Sequence, residues 1–511
     1  MKKTNHFLER FFNPETVAIV GATNNAFKMN FRIMQNLVDL DFQGQVYPVN
    51  LGSDQISGIK AFARLQDIPH KVDLVVSAVP ASKTMNIVKD CHEVGAKNLV
   101  IISGGFSEGG AEGQKLHNHM AAFAKEKGIR VLGPNTLSPV NTANRLAISF
   151  NPIKKMKRGG LSFAFQSGFY EPKINWILSH MGVNKMLDMG NKMDINEVDA
   201  LEYFSGDEDT KVIAMHIESL KGNVNDFFAL LKSVSQKKPT IILKSGRTPA
   251  GSKAAASHTG SLALENDLIF DGMIQQTSAI RAQNMDEFFD LAKSFEFLDL
   301  PKGKKLAIIT LSGGEGVMAT DSCGMYGLEL ASLRQNTGQR LKKIFPPWEI
   351  PLNPFDAGVC MEFNLSDLIS FFQALTAIPR DENVDCTIMQ MPPNLFAAFL
   401  SNPDVPENMM ETLKNRFIEW LISLKEYGKP FALWCSAMDS EEMKLVEMLE
   451  ARSLPVFQSS ERAIKSFSVM YRYGQRMDKL RKSGSRSEQE SMKIIEKAFE
   501  EGRTTDRKSV V

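Results

Sequence analysis

The sequence predicts an α/β chain made of three doubly wound, parallel-sheet modules. Three observations carry that expectation. Short apolar, β-branched runs recur along the chain, each closed by Gly, Pro or Asn. Stretches with helical apolar spacing separate them, and such alternation is the mark of βαβ units. The length, 511 residues, corresponds to about three domains at roughly 100–200 residues each.

The first module, residues 1–150, opens with TVAIVGAT (16–23), a buried-strand pattern ending at Gly21. FRIMQNLVDLDF follows with helical spacing, and then QVYPVN, VDLVVSAVP, NLVIISGGFSE and IRVLGPN. The second module, 151–300, runs through GGLSFAFQSG (159–168), KVIAMHIES (211–219), PTIILKSG (239–246) and AIRAQNMDEFFDLAKSF (279–295). PKGKK (301–305) reads as a linker. The third module, 301–472, holds KKLAIITLSGGEGVMATDSC (304–323), CTIMQMPP, PFALWCS and LPVFQSSERAI. Residues 473–511 are charged and Ser-rich and are expected to be a mobile linker plus a short amphipathic helix.

Composition excludes several classes. With 43% apolar and 23% charged residues, each module can bury an ordinary core. A net charge of +1 offers no basic surface, so no nucleic-acid role is expected. The five cysteines, Cys91, Cys323, Cys360, Cys386 and Cys435, are scattered without a CxxC pair, so neither a disulfide framework nor a metal site is expected. No apolar run reaches the roughly 18 residues that span a bilayer. The N-terminus lacks the apolar stretch of a secretory signal. A soluble, cytoplasmic protein is the expectation.

Several strand–turn junctions could carry chemistry. The Gly21 turn lacks the rest of GxGxxG, and the second strand ends at Asn50 rather than an acid, so a dinucleotide signature is incomplete. A plain tight turn and a phosphate-holding turn both stay open there. GFSEG (105–109) matches GxSxG and nominates Ser107 as a hydrolase nucleophile, but a chance match in a Gly-rich loop is the favoured reading. Gln166-Ser167-Gly168 sits at a strand's carboxyl end, either as an anion-binding helix start or as a simple N-cap. GRTPAGSK (246–253) is a near miss to a P-loop, with its lysine one position late. AAASHTGSL (254–262) surrounds His258 with small residues, an open setting into which a bulky phosphate can approach. His216 and Glu218, two apart on one strand, share a face, so a carboxylate could orient an imidazole there; a solvated strand end is the plain alternative. His117 and His119 read as an exposed helix. SGGEG (312–316) is another strand–turn, weak alone.

These pieces occur in a familiar order. NPETVAIVGAT, VYPVN, VDLVVSAVPA, VIISGGFSE, GPNTLSPVN, QSG, GNKMDINEVDALEYFSGDEDTKVIAMHIES, KSGRTPAGSKAAASHTGSL and ITLSGGEGVMATDSCGMYGLEL resemble the α subunit of ADP-forming acyl-CoA synthetases, relatives of succinyl-CoA synthetase. The resemblance spans about residues 10–470. It implies an N-terminal Rossmann-like CoA-binding domain followed by two flavodoxin-like domains. It also implies His258 as the phosphorylated histidine and Glu218 as the carboxylate holding it. CoA loops are implied at Gly21, Ala22 and Thr23, Asn50, Val79 and Pro80, Ser103, Gly104, Phe106 and Glu108, and Gly133 to Asn135. Gln166, Ser167, Gly168, Thr259 and Gly260 are implied to hold the phosphoryl group.

The implied reaction is an acid–CoA ligation. Phosphate displaces CoA from an acyl-CoA, His258 takes the phosphoryl group from the acyl phosphate, and ADP receives it. Coenzyme A is a substrate, and ATP/ADP and Mg belong to an ATP-grasp module. No stretch is left to build that module, so the resemblance implies a separate β subunit in a hetero-oligomer, or a truncated gene, and a small carboxylic acid substrate. Three departures stand out. QSG is followed by Phe169-Tyr170-Glu171-Pro172 where the family has small residues. VYPVN is followed by Leu51-Gly52 rather than Pro-Lys, leaving Lys28 as the substitute cation. LSGGEG replaces NAGGPG. The first two motivate a second hypothesis, a CoA-binding regulatory protein without chemistry. A third, an NAD-dependent or hydrolytic enzyme, rests on Gly21 and Ser107 alone.

Overall fold

In β1 (Thr16–Val20) every residue from Val17 onward is buried, as a parallel strand covered by helices on both faces must be. The computed structural model describes residues 6–259, 267–391, 407–435 and 440–500, and within these the side chains at 255–259, 407–410, 413, 440–442 and 483–500 lie outside the description. After β1 come β2 (Gln45–Val49), a small hairpin of β3 (Gln55–Ile56) and β4 (Ile59–Lys60), then β5 (Leu74–Ser77), β6 (Asn98–Ile101) and β7 (Arg130–Leu132). The main strands form a parallel sheet in the order β2-β1-β5-β6-β7.

The second sheet contains β8 (Val140–Asn141), β9 (Leu146–Ala147), β10 (Arg158–Phe165), β11 (Val183–Asp188), β12 (Val212–Ile217), β13 (Thr240–Lys244) and β14 (Ile280–Ala282). Its order is β14-β13-β12-β10-β11-β8-β9. The third contains β15 (Lys305–Thr310), β16 (Glu329–Leu330), β17 (Phe355–Asp356), β18 (Cys386–Gln390), β19 (Phe431–Trp434) and β20 (Val456–Phe457), in the order β16-β15-β18-β19-β20 with β17 paired to β15. In all three sheets the main strands are parallel, and the winding reverses beside the first of them. The predicted α/β class, with one Rossmann-like domain and two flavodoxin-like ones, is therefore the observed architecture.

Two boundaries differ from expectation. The hairpin β8–β9, assigned to a first module ending at 150, pairs antiparallel with β11 and so belongs to the second sheet. Two-residue strands carry no periodicity that a sequence reading could use. The stretch from 473, expected as a linker, continues one helix, Ser460–Glu500. Ile464, Phe467, Met470, Tyr473 and Met477 of that helix are buried in the core shared by the second and third modules. Once that first half is held by packing, the charged half extends the helix one hydrogen bond per residue, without a new nucleation step. Residues 501–511 of the expected tail lie outside the described residues.

The modules are fused through their seams. Phe11 and Phe12, from the short helix Glu9–Phe12, join one core with Tyr203 and Phe204 of the second module. Asn36, 1% exposed, donates to Ser149 O at 3.2 Å and Asn151 O at 3.0 Å, and accepts from Ile153 N at 3.0 Å. Between the second and third modules, buried Lys293 pairs with buried Glu450 at 2.6 Å, and Arg462 grips Asp290 with two bonds. No helix among the described residues is long and apolar enough to cross a membrane.

Candidate functional site

Two carboxyl-terminal sheet edges face each other across the seam between the first and second modules. Ligands of open parallel sheets bind outside such edges, where the winding reverses. In the first sheet the reversal lies at β1, between β2 and β5. Gly21 turns the chain out of β1 at φ +89°, and a Cβ there would stand 2.9 Å from Ala78 O. Only glycine lets the loops after β1 and β5 approach this closely. Ala22 is buried. Asn50 Nδ2 donates to Ala22 O at 2.7 Å while its Oδ1 accepts from Gly52 N at 2.8 Å, so Asn50 latches the β2 loop onto the β1 loop. Thr23 is half-buried and accepts Asn25 N at 3.1 Å. Lys28 is exposed on the loop that follows. Val79, half-buried, and Pro80, exposed, lead into the helix Ala81–Glu93.

The loop after β6 completes this edge. Ser103 Oγ is buried with no hydrogen-bond partner among the described residues. Gly104 is exposed, and a Cβ on it would meet Glu108 Oε1 at 2.9 Å. Glu108 Oε1 accepts Gly105 N at 2.7 Å. Asn135 sits at φ +61° and donates its N–H to Ser103 O at 3.1 Å. The edge therefore gathers the predicted residues with one correction. The ring of Phe106 is fully buried in the first module's core, so only its backbone belongs to the edge. The turn holding Ser107 is a short 3-10 segment, Ser107–Gly109, and among the described residues no hydrogen bond joins Ser107 to a histidine.

On the second sheet the reversal falls between β10 and β12, and Gln166 and Glu218 follow those two strands. Gln166 is 2% exposed. Its Oε1 accepts Glu218 N at 2.8 Å, Ser219 N at 3.0 Å and Lys192 Nζ at 3.0 Å, and its Nε2 donates to Ser219 Oγ at 3.0 Å. The oxygen of this amide is fully engaged within the protein and one of its two N–H groups is taken by Ser219, so the Gln166 side chain fastens the Glu218 loop. Ser167 and Gly168 stay on the open side, where they begin a short 3-10 segment, Gly168–Lys173, rather than an α-helix.

His216 and Glu218 are buried, not solvated. His216 Nε2 bonds Ser245 Oγ at 2.7 Å. Burial, and then the Lys244 and Lys192 ammonium groups, pull the His216 pKa down to about 3, so this imidazole is neutral. Lys244 donates to Glu218 O at 2.8 Å and Ser245 O at 2.7 Å. His258 and Thr259 lie on the helix Pro249–Thr259, which follows β13, the neighbour of β12. The side chains of both, and all of Gly260, lie outside the described residues.

The edges are joined directly. The helix Pro249–Thr259 rests against the 107–109 turn. Asn191 N donates to Pro134 O at 2.9 Å and Met193 N to Gly133 O at 2.8 Å. Asn191 Nδ2 donates to Glu108 Oε2 at 2.5 Å. His117, expected on an exposed helix, is 6% exposed at this seam. Burial, and then Lys221, lower its pKa to about 4 against the opposing pull of Glu108. The sequence does not mark Asn191, Lys192 and Glu197 as site residues. Their signal was only their place in the long block GNKMDINEVDALEY, since no residue type there announces a role. Among the described residues no group of three or more His, Cys, Asp or Glu is placed to hold a metal.

Residues 15–141 match the model of a CoA binding domain, and 158–295 match that of a succinyl-CoA ligase like flavodoxin domain. The α subunit of acetate–CoA ligase [ADP-forming] I of Pyrococcus furiosus is 34% identical over 478 residues, covering 91% of this chain and 97% of that one. This chain belongs to the ADP-forming acetate–CoA ligase family. Acetate–CoA ligase [ADP-forming] II of Archaeoglobus fulgidus is 32% identical over 473 residues, covering 92% of this chain but 67% of its own length. Some ADP-forming ligases are thus longer single chains, and others are divided into subunits. A solved structure described as Ca. Korarchaeum cryptofilum dinucleotide forming acetyl-coenzyme A synthetase 1, in complex with phosphate and ADP, superimposes with a TM-score of 0.77 at 29% identity, covering 93% of this chain and 98% of that one.

Within the stretch Phe169–Pro172 of this chain, Tyr170 and Glu171 turn away from the edge. Tyr170 is buried and donates its hydroxyl to Leu137 O at 2.9 Å. Glu171 is buried and accepts from Asn151 Nδ2 at 2.6 Å and Ser149 Oγ at 3.1 Å. Its charge therefore lies in the core beneath the seam. Only Phe169, half-buried, packs edge-on to His216 with ring centroids 4.6 Å apart.

Proposed function

We propose that this chain is the α subunit of an ADP-forming acyl-CoA synthetase, interconverting acyl-CoA, ADP and phosphate with a carboxylic acid, CoA and ATP. Inorganic phosphate attacks the thioester carbonyl, the C–S bond breaks, and CoA leaves as its thiol after taking a proton. An imidazole nitrogen of His258 then attacks phosphorus, and the carboxylate departs as the P–O bond to the acyl group breaks. The phosphoryl group passes from His258 to ADP on a separate ATP-grasp subunit, which also holds Mg2+. Phosphoryl transfer depends chiefly on positioning and charge stabilisation. Glu218 accepts a hydrogen bond from the imidazole and keeps its attacking nitrogen unprotonated. The N–H groups at Ser167 and Gly168 hold the phosphoryl oxygens, together with Thr259 and Gly260. CoA lies along the loops at Gly21 to Thr23, Asn50, Val79–Pro80, Ser103 to Glu108 and Gly133 to Asn135, with Lys28 near its phosphates.

The observation that carries this reading is the opposition of the two sheet edges, with the His258 helix against the Glu108 turn and Glu108 bonded to Asn191. A thioester bound on the first edge is thereby presented to the strand end bearing Glu218. The alternative of a CoA binder without chemistry drew on residues 169–172 and on Leu51-Gly52; the inward placement of Tyr170 and Glu171 takes the negative charge and one of the two aromatic rings away from the edge and so weakens the first of these motives.

Intact-mass analysis after incubation with acetyl-CoA and other acyl-CoAs plus phosphate tests the proposal. A base-stable, acid-labile gain of one phosphoryl group, absent in His258→Asn, is the expected result. CoA binding without any such gain, whichever acyl-CoA is supplied, would refute it.

A further inference from the structure

We infer that Gln166, Lys192 and Glu197 form a buried clamp that positions Glu218 for phosphoryl transfer. The inference rests on the functional reading above, which gives Glu218 its role. The loop that carries Glu218 is held by side chains rather than by sheet pairing alone. Gln166 Oε1 takes the N–H groups of Glu218 and Ser219 at 2.8 and 3.0 Å. Beyond Leu220, Glu197 Oε1 takes Lys221 N at 2.7 Å and Gly222 N at 3.0 Å. Lys192 stands between the two holders. Its ammonium donates to Gln166 Oε1 at 3.0 Å, Glu197 Oε2 at 2.9 Å and Ser219 O at 2.5 Å.

The chemistry of these groups makes the arrangement one-way. An ammonium only donates, so Lys192 forces the Gln166 amide to present its oxygen toward Glu218 N and its NH2 toward Ser219 Oγ. Were the amide reversed, an NH2 would face two N–H donors and an ammonium. Gln166 and Lys192 are each 2% exposed and Glu197 is fully buried, so water cannot substitute for a lost partner. The clamp also reaches the CoA side, because Asn191, next to Lys192, bonds Glu108. Lys192 holds φ +49°, which splits the two neighbours between the two edges.

The test uses the full-length chain with acetyl phosphate as phosphoryl donor and time-resolved intact mass as readout. CoA binding is measured in parallel by calorimetry. Lys192→Met and Gln166→Leu are expected to slow His258 phosphorylation at least tenfold while the CoA Kd changes less than twofold. The phosphorylation rate is thus expected to fall while CoA affinity holds, a split that a merely structural role would not give. Lys192→Met/Glu197→Gln removes the pair without leaving a lone buried charge, so it serves if the single variant does not fold. Its rate should be equally low. Wild-type phosphorylation with unaltered rates in the variants would overturn the clamp alone. Equal loss of CoA binding and phosphorylation would reduce the trio to a folding role and overturn it as well. No phosphorylation of the wild-type chain would overturn the functional reading and the clamp together.

Discussion

Asn191 of the second module donates its side-chain amide to the carboxylate of Glu108 in the first, at 2.5 Å. The other oxygen of Glu108 accepts Gly105 N at 2.7 Å. One carboxylate therefore shapes the loop after β6 and ties it to the opposing edge. The bond is charge-assisted and partly buried, which places it among the stronger hydrogen bonds.

Asn191→Ala is expected to weaken CoA binding by roughly three- to tenfold, since hydrogen bonds to charged groups contribute about 1.5–3 kcal/mol and this one is only partly shielded. Titration of CoA into the two proteins measures it. An unchanged Kd would mean that the β6 loop keeps its shape without the bond.

Gly190 leaves no room for a side chain. Its φ is +52°, and a Cβ would fall 2.2 Å from Pro134 O and 2.6 Å from Asn135 O. Gly190→Ala should lower stability by about 1–3 kcal/mol through strain and by further repulsion as the Gly133–Asn135 loop is pushed away. A melting temperature within 1 °C of wild type would contradict this placement.

Lys293 and Glu450 are respectively 3% and 1% exposed at the seam between the second and third modules. Lys293→Ala strands the Glu450 carboxylate and is expected to cost about 3–5 kcal/mol, whereas replacing both partners by apolar residues of similar volume should cost far less. Denaturant unfolding of Lys293→Ala and Lys293→Met/Glu450→Leu compares them. Equal losses would show that packing, not charge pairing, holds this seam.

His216 makes stability depend on acid. Its folded pKa, about 3, lies below its ordinary value of about 6.5. Between these values the unfolded chain binds a proton that the folded one refuses, so stability falls as pH drops through this window and is level above it. His216→Gln should flatten the slope by up to one proton, about 1.4 kcal/mol per pH unit. His117, lowered to about 4, adds to the wild-type slope with the same sign. Asp188, raised by burial to about 7, opposes it, because its stabilisation is lost as pH rises from about 4 through 7. Both stay in place in the variant, so comparing unfolding free energies at pH 4, 5, 6 and 7 isolates His216; parallel curves would contradict its buried neutral state.

Sequence alone determined what local pattern can carry. Strands such as Thr16–Val20 and Thr240–Lys244 are continuous apolar runs, and their spacing with helices marked three parallel-sheet modules. The turns at Gly21, Ser103–Glu108 and Gln166–Gly168, and the Glu218 strand end, were likewise legible, because such turns follow strands and change composition abruptly. Tertiary structure decided what depends on partners distant in the chain. The β8–β9 hairpin takes its sheet from β11, and the helix Ser460–Glu500 holds its course because Phe467 and Tyr473 find a core to bury in. Burial removed Phe106, Tyr170 and Glu171 from the edge and turned Gln166 inward. Lys192 and Glu197 had no visible role until the fold set them beneath the Glu218 loop. The physical reason is common to all of these. Periodicity records which face of an element avoids water, whereas the partner of a buried polar group is set by loops that meet only after the sheets have formed.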